Sequence, residues 1–232
     1  MKKRGKNYKN EVSKIEKGKL YSPEEAVKLI KEVSNTKFDA TVEVAMNLNL
    51  DVKKADQQLR GAIVLPKGTG KDVKVLVLAK GDAAKTAKEA GADFVGDNDM
   101  IDKIAKENWF GFDTLIATPD MMPALGKLGK VLGPKGLMPN PKTGTVTPNP
   151  ALAVTEAKSG KVEYRTDSFG NIHGIIGKVS FKETDLLENL NAFVKTILRA
   201  KPDSVKGAYV KSISVCSTMS PAVKIEQNSF DN

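Results

Sequence analysis

Residues 73–79 read VKVLVLA, and their pattern decides how the 232-residue chain is built. Val75 to Ala79 is an unbroken aliphatic run, so a strand here is apolar on both faces and needs cover on both. Downstream come GDAAKTAKEAG (81–91), ADFVG (92–96), MIDKIAKENW (100–109) and DTLIATP (113–119), helical patterns alternating with short buried strands. That alternation implies a parallel sheet with helices on its faces.

Outward from this middle the pattern changes. TVEVAMNLNL (41–50) alternates strictly, with Val42, Val44, Met46, Leu48 and Leu50 on one face and Thr41, Glu43, Asn47 and Asn49 on the other, as in a half-buried antiparallel strand. RGAIVLP (60–66) reads as its hairpin-type partner, ended by Pro66. SPEEAVKLIKEV (22–33) starts a helix, with Ser22 as N-cap, Pro23 at the first helical position and Glu25 closing a capping box. After Lys158 the period of two returns in KVEYRT (161–166) and IHGIIGKVSF (172–181). A helix with Leu186, Leu190, Val194 and Ile197 on one face then stops before Pro202. Half-exposed strands thus flank a doubly covered middle, which makes the middle an insertion. The fold class is α/β in two domains: residues 1–67 and 160–232 form a discontinuous split βαβ α+β sandwich, and 68–159 form the inserted domain.

The net charge of +9 points to an anionic partner, nucleic acid before membrane. Its distribution favours this over a generally solvated surface, since Met121 to Pro150 holds four lysines and no acid, and Lys206 to Ile225 holds three and none. No run approaches the roughly 20 apolar residues a bilayer span needs. Eight Lys/Arg in the first twenty residues, without an apolar segment, do not fit a secretory signal. The single cysteine, Cys216, excludes an internal disulfide framework and fits a reducing cytoplasm.

Chemistry-bearing motifs are few. None of the Gly-Lys pairs is followed by the Ser or Thr of a phosphate loop, and GTGKDV precedes its strand instead of following it, so no nucleotide cofactor is expected. Met121 to Pro150 packs six prolines and five glycines, which reads either as a rigid surface loop or as a basic loop reaching RNA phosphates. His173 is the only histidine, Asp97, Asp99 and Asp102 lack the glycine and glutamate of a calcium loop, and Trp109, Phe110 and Phe112 read as core. With 6% aromatic residues, stacking on single strands is not the main device, and RNA read by backbone, 2′-hydroxyl and shape outranks DNA. A nucleotide-dependent enzyme using the inserted α/β domain is the alternative of a different class.

KFDATVEVAMNLNLD, RGAIVLP, GPKGLMPNPKTGTV, SGKVEYRTD, IHGIIGKVSF and STMSPAVKI occur in an order that closely resembles the bacterial large-subunit ribosomal protein L-one family. The resemblance implies an inserted Rossmann-like three-layer domain. It implies a protein of the mobile stalk beside the exit site, monomeric when free, that binds large-subunit ribosomal RNA, meets exit-site tRNA and represses its own operon messenger. It places the RNA site on the discontinuous domain: Phe38 and Thr41 with Lys37 beside them, then His173, Gly177 and Lys178, then Thr218 and Met219. Thr218 would hydrogen-bond to RNA, Met219 would cover that bond and Ser217 would assist; Lys37, Lys178 and Lys224 would neutralise phosphates. The family pattern STMGPGVKI has glycines where this chain has Ser220 and Ala222. If those positions need φ above zero, each side chain costs roughly 1 kcal/mol and RNA affinity falls.

Overall fold

A computed structural model describes residues 5–230. In chain order these form α1 (Lys6–Ser13), α2 (Pro23–Val33), β1 (Thr41–Leu48), β2 (Arg60–Val64), β3 (Val75–Leu78), α3 (Asp82–Glu89), β4 (Phe94–Gly96), α4 (Asn98–Glu107), β5 (Thr114–Ala117), α5 (Met122–Gly126), α6 (Gly129–Leu132), α7 (Pro150–Lys158), β6 (Lys161–Arg165), β7 (Asn171–Lys178), α8 (Glu183–Arg199), β8 (Val210–Ser217) and β9 (Val223–Ile225). They divide into two compact units, one running to Gly70 and resuming at Val162, the other spanning Lys71–Lys161. The crossings lie slightly later than residues 67 and 160. Lys67 N–H donates to the Asn189 carboxamide and Gly68 C=O accepts from it, which keeps this segment with the first unit.

In the first unit, α2 begins with the capping box between Ser22 and Glu25 and buries Ala26, Val27, Ile30 and Val33. β1 buries Val42, Val44, Met46 and Leu48, and the opposite face stays half-open. The four-stranded sheet has the order β7-β1-β8-β9. Both neighbours of β1 run antiparallel to it, so β7 and β8 are parallel to each other, joined by α8 with β1 between them. This is a split βαβ unit. α8 buries Leu186, Leu190, Phe193, Val194 and Ile197 in the same core as α2 and the closed face of the sheet.

The hairpin expected between β1 and β2 does not form. β7 and β8 occupy both edges of β1, and β2 instead pairs with β6 in a separate two-stranded sheet. The connection over residues 49–59 is folded on itself, with the Gln57 carboxamide accepting the Asp51 N–H, and carries the chain away from β1.

The second unit holds the parallel sheet β4-β3-β5. Every residue of β3 is buried, as its two-sided apolar pattern requires. Leu76 and Leu78 face a cluster with Ile101, Ile104, Leu125 and Leu132, while Val75 and Val77 face one with Ala87, Ala153, Val154 and Ala157. Helices therefore cover both faces. The Gly/Pro/Lys stretch is more than a surface loop: α5 and α6 lie within it, Leu125, Leu128 and Leu132 anchor it in the core, and Val146 bridges to Ala117. Its lysines stay exposed, Lys135 with its ammonium 4.2 Å from the Phe110 ring centre. Trp109 is half-buried at the rim, its ring 4.9 Å from Phe94. Asp97 caps α4 by accepting the Asp99 N–H, and Asp102 pairs with Lys106, so the acidic turn has a local purpose.

Candidate nucleic-acid interface

Directly opposed residues of antiparallel strands share a face, so the register of the first unit's sheet defines rows across its open side. One row is Lys178 and Thr41, extended by Thr218, whose N–H donates to the Thr41 carbonyl at 2.9 Å. The next is Ile175, Glu43 and Cys216, and the third is His173, Ala45, Ser214 and Lys224.

At the first row the contacts are dense. Lys178 Nζ donates to Thr41 Oγ1 at 2.8 Å. Thr41 N–H donates to Thr218 Oγ1 at 3.2 Å, and the Thr218 hydroxyl lies 3.3 Å from the Thr41 carbonyl that accepts from it. One ammonium proton of Lys178 is used here, leaving two for an outside acceptor. Lys37, on the lead-in to β1, and Lys178 and Lys224, on the sheet, form no ion pair among the described residues, although Glu43 stands on the same open face between the rows of the last two.

The lead-in to β1 is held firmly. Asp39 accepts from the Ser180 N–H and hydroxyl at 3.1 and 2.8 Å, and the Thr36 hydroxyl donates to the Phe38 carbonyl at 2.9 Å. Phe38 projects from this clamp with 59% of its surface exposed, and Met219 projects from the turn after β8 with 81% exposed. Both line a groove of about 860 Å³ with Tyr8, Lys37, Cys216 and Ala222. Two large apolar side chains left in solvent near the Lys37 and Lys178 ammonium groups suit a partner that supplies phosphates and base or sugar faces together.

The other candidate residues divide. His173 lies on the open face opposite Ala45, four residues along β1 from Thr41 and therefore about 13 Å from the Lys178 row. Its Nε2 is 3.9 Å from Asp167 Oδ2, and hydrogen bonds from the Asn171 side chain and backbone hold the Asp167 carboxyl below its usual range. Lys224 stands exposed on β9, in the same row as His173. Gly177 is buried at the bulge of β7 with φ +147°, and a side chain there would collide with Leu186 and Phe181, so its glycine serves the packing. Ser217 is 2% exposed, on the core side of the sheet opposite Val42, and its hydroxyl has no hydrogen-bond partner among the described residues. Burial, with Glu43 opposite, pushes the Cys216 thiol up, so it stays protonated at neutral pH.

The strain expected at Ser220 and Ala222 sits elsewhere. Among the described residues the two non-glycines with positive φ are Asn108 and Met219, the latter at +70°. Ser220 is instead bonded through its side chain, its Oγ accepting the Ser217 N–H at 2.9 Å. Sequence reasoning missed Asp39 and Thr36, whose value lies in backbone contacts no pattern announces, and left Ser214 unassigned although the alternation of its strand encodes its face. The described residues contain no cluster of three or more His, Cys, Asp or Glu able to hold a metal ion, and no helix long and apolar enough to cross a membrane.

Comparison with known proteins identifies the family. The profile of the Ribosomal protein L1p/L10e family matches residues 30–221. The chain is 59% identical over 224 residues to the large ribosomal subunit protein uL1 of Aster yellows witches'-broom phytoplasma (strain AYWB), covering 97% of each. It is 56% identical over 229 residues to the uL1 protein of Limosilactobacillus fermentum (strain NBRC 3956 / LMG 18251), covering 99% of each. With near-complete coverage at such identity, and the family profile spanning both units, the chain belongs to the ribosomal protein L1 (uL1) family.

Proposed function

We propose that the open face of the first unit's sheet binds large-subunit ribosomal RNA and that the chain thereby helps build the mobile stalk beside the exit site. The family is one of structural proteins of the large ribosomal subunit and not of enzymes, so the nucleotide-dependent enzyme is set aside. The observation that carries the RNA reading is the Lys178–Thr41–Thr218 row, with ammonium donors to spare, flanked by the exposed Phe38 and Met219. Phosphates would take the Lys37, Lys178 and Lys224 charges, while ribose and base surfaces would cover the two apolar side chains. In this reading the first unit is the discontinuous RNA-binding domain and the second an inserted Rossmann-like domain.

Two further partners belong to the same reading. Binding its own operon messenger at the open face would repress translation, by competition with ribosomal RNA for one surface. Contact with exit-site tRNA would assist release of the deacylated form. The protein would act in the cytoplasm, on the ribosome, and be monomeric when free. Chemical footprinting of ribosomal RNA fragments with the full chain tests the primary claim. Protection of a folded stalk fragment, lost when Lys178 and Thr218 are replaced together, is the expected result; protection that survives both replacements would place the RNA elsewhere.

A further inference from the structure

β8 ends in a turn over Ser217, Thr218, Met219 and Ser220, closed by the Ser220 N–H donating to the Ser217 carbonyl at 2.9 Å. Met219 is its third residue, at φ +70°, a left-handed conformation that a side chain disfavours. Such a conformation persists only where its surroundings fix the chain on both sides. Upstream, Thr218 is tied to Thr41 through its N–H and its hydroxyl.

Downstream the tie is a side chain. Pairing between β8 and β9 reaches only Val215 with Val223, so Ser217 lies beyond the last β9 partner. Ser220 Oγ takes the place of that partner: it accepts the Ser217 N–H at 2.9 Å, and its proton has the Ser217 carbonyl at 3.0 Å or the Pro221 carbonyl at 3.2 Å as acceptor. Pro221 narrows the backbone choices of Ser220 further. The buried Ser217 therefore has both its backbone groups bonded to Ser220.

We infer that Ser220 is a positioning residue, whose hydroxyl latches the turn that holds Met219 left-handed and thereby fixes how Met219 is presented to RNA. The inference rests on the RNA-binding reading of this face, and it reverses the expectation that a serine here weakens the site. A glycine at this position would free the turn; the serine trades that freedom for a preformed one, which lowers the ordering cost on binding.

The test uses the full chain and two readouts: hydrogen exchange of the Ser217 amide by NMR, and titration with a large-subunit ribosomal RNA fragment at fixed salt. Ser220→Ala should speed Ser217 exchange and weaken RNA binding by about 3- to 10-fold. Ser220→Thr, which keeps the hydroxyl, should restore both. With Met219→Gly as background, Ser220→Ala should cause no further loss of affinity, because no side chain is left to position. Unchanged Ser217 exchange in Ser220→Ala overturns the latch, and faster exchange with unchanged affinity overturns the positioning role. Lys178→Ala serves as control: if it binds as the wild type does, the reading of the face has failed, and the exchange rates alone still decide whether the latch exists.

Discussion

Thr218 and Thr41 are tied in both directions: the Thr41 N–H donates to the Thr218 hydroxyl, and the Thr41 carbonyl accepts from the Thr218 N–H and hydroxyl. The hydroxyl that the family resemblance assigns to RNA is therefore already part of the sheet. RNA can take only its remaining acceptor capacity, or displace the bond to the Thr41 carbonyl. Thr218→Val should thus lower unfolding free energy by about 1 kcal/mol, because the Thr41 N–H loses its acceptor. Denaturant unfolding checks this, and an unchanged midpoint would mean that water replaces the hydroxyl at no cost.

Salt dependence separates phosphate contacts from the rest. The logarithm of RNA affinity should fall linearly with the logarithm of salt concentration, and Lys178→Ala should flatten the slope by roughly 0.7 to 0.9, the share of one phosphate. Titrations at several ionic strengths measure it. The same slope in wild type and variant would show that Lys178 serves only Thr41 and would count against the RNA reading of this face.

Asn189 is a buried polar residue with its bonding capacity well used. Its Nδ2 donates to the Ile176 carbonyl at 2.8 Å and the Gly68 carbonyl at 3.0 Å, and its Oδ1 accepts the Lys67 N–H at 3.0 Å. Asn189→Leu, which keeps the branching but not the polar atoms, should destabilise the first unit by about 3 kcal/mol by stranding these backbone groups. Chemical denaturation followed by tryptophan-independent far-UV dichroism reads the loss, since Trp109 lies in the other unit.

Acid should loosen the second unit through two carboxylates at the start of β3. Asp93 accepts the Val75 N–H at 2.9 Å and pairs with Lys158, and Asp113 is bonded by the Lys71 ammonium and the Lys74 N–H. Backbone bonding from Val75 holds the Asp93 carboxyl below its ordinary value, and the Lys71 side chain does the same for Asp113. A lowered folded-state pKa gives stability that is present above the unfolded value and lost as pH falls through the folded one. The loss therefore belongs below about pH 4. Replacing both by Asn should flatten the acid limb of a stability profile taken from neutral pH downward; an equally steep limb would assign the sensitivity to other groups.

Much of this architecture was legible in the residues. The alternation of β1, the two-sided apolar run of β3 and the capping box of α2 each state a local preference that tertiary packing then agrees with. The partner of β2 was not legible, because period-two strands match one another equally well and only the closing of the whole sheet selects among them. α5 and α6 escaped notice because helices of five and four residues are too short for a period to show, and their prolines and glycines resemble turn chemistry. At the site, the acid-free run of residues 206–225 points to a basic surface, while Lys37, Lys178 and Met219 enter through the family resemblance. The left-handed backbone of Met219 enters through neither, since nothing in a methionine announces positive φ.

The place of β1 in the split βαβ unit also sets an order of events during synthesis. Both of its partners lie far downstream: Asn47 bonds to Asn171 across 124 residues, and Thr41 to Thr218 across 177. A chain leaving the ribosome therefore exposes β1 with neither edge satisfied while the contiguous β3, β4 and β5 already have everything their sheet requires. The inserted unit should close first and shorten the gap that β1 must bridge, easing a pairing that chain entropy otherwise makes slow. Nascent chains halted once residue 161 has cleared the exit tunnel should then protect the Lys71–Lys161 segment from protease and leave residues 41–48 open to cleavage.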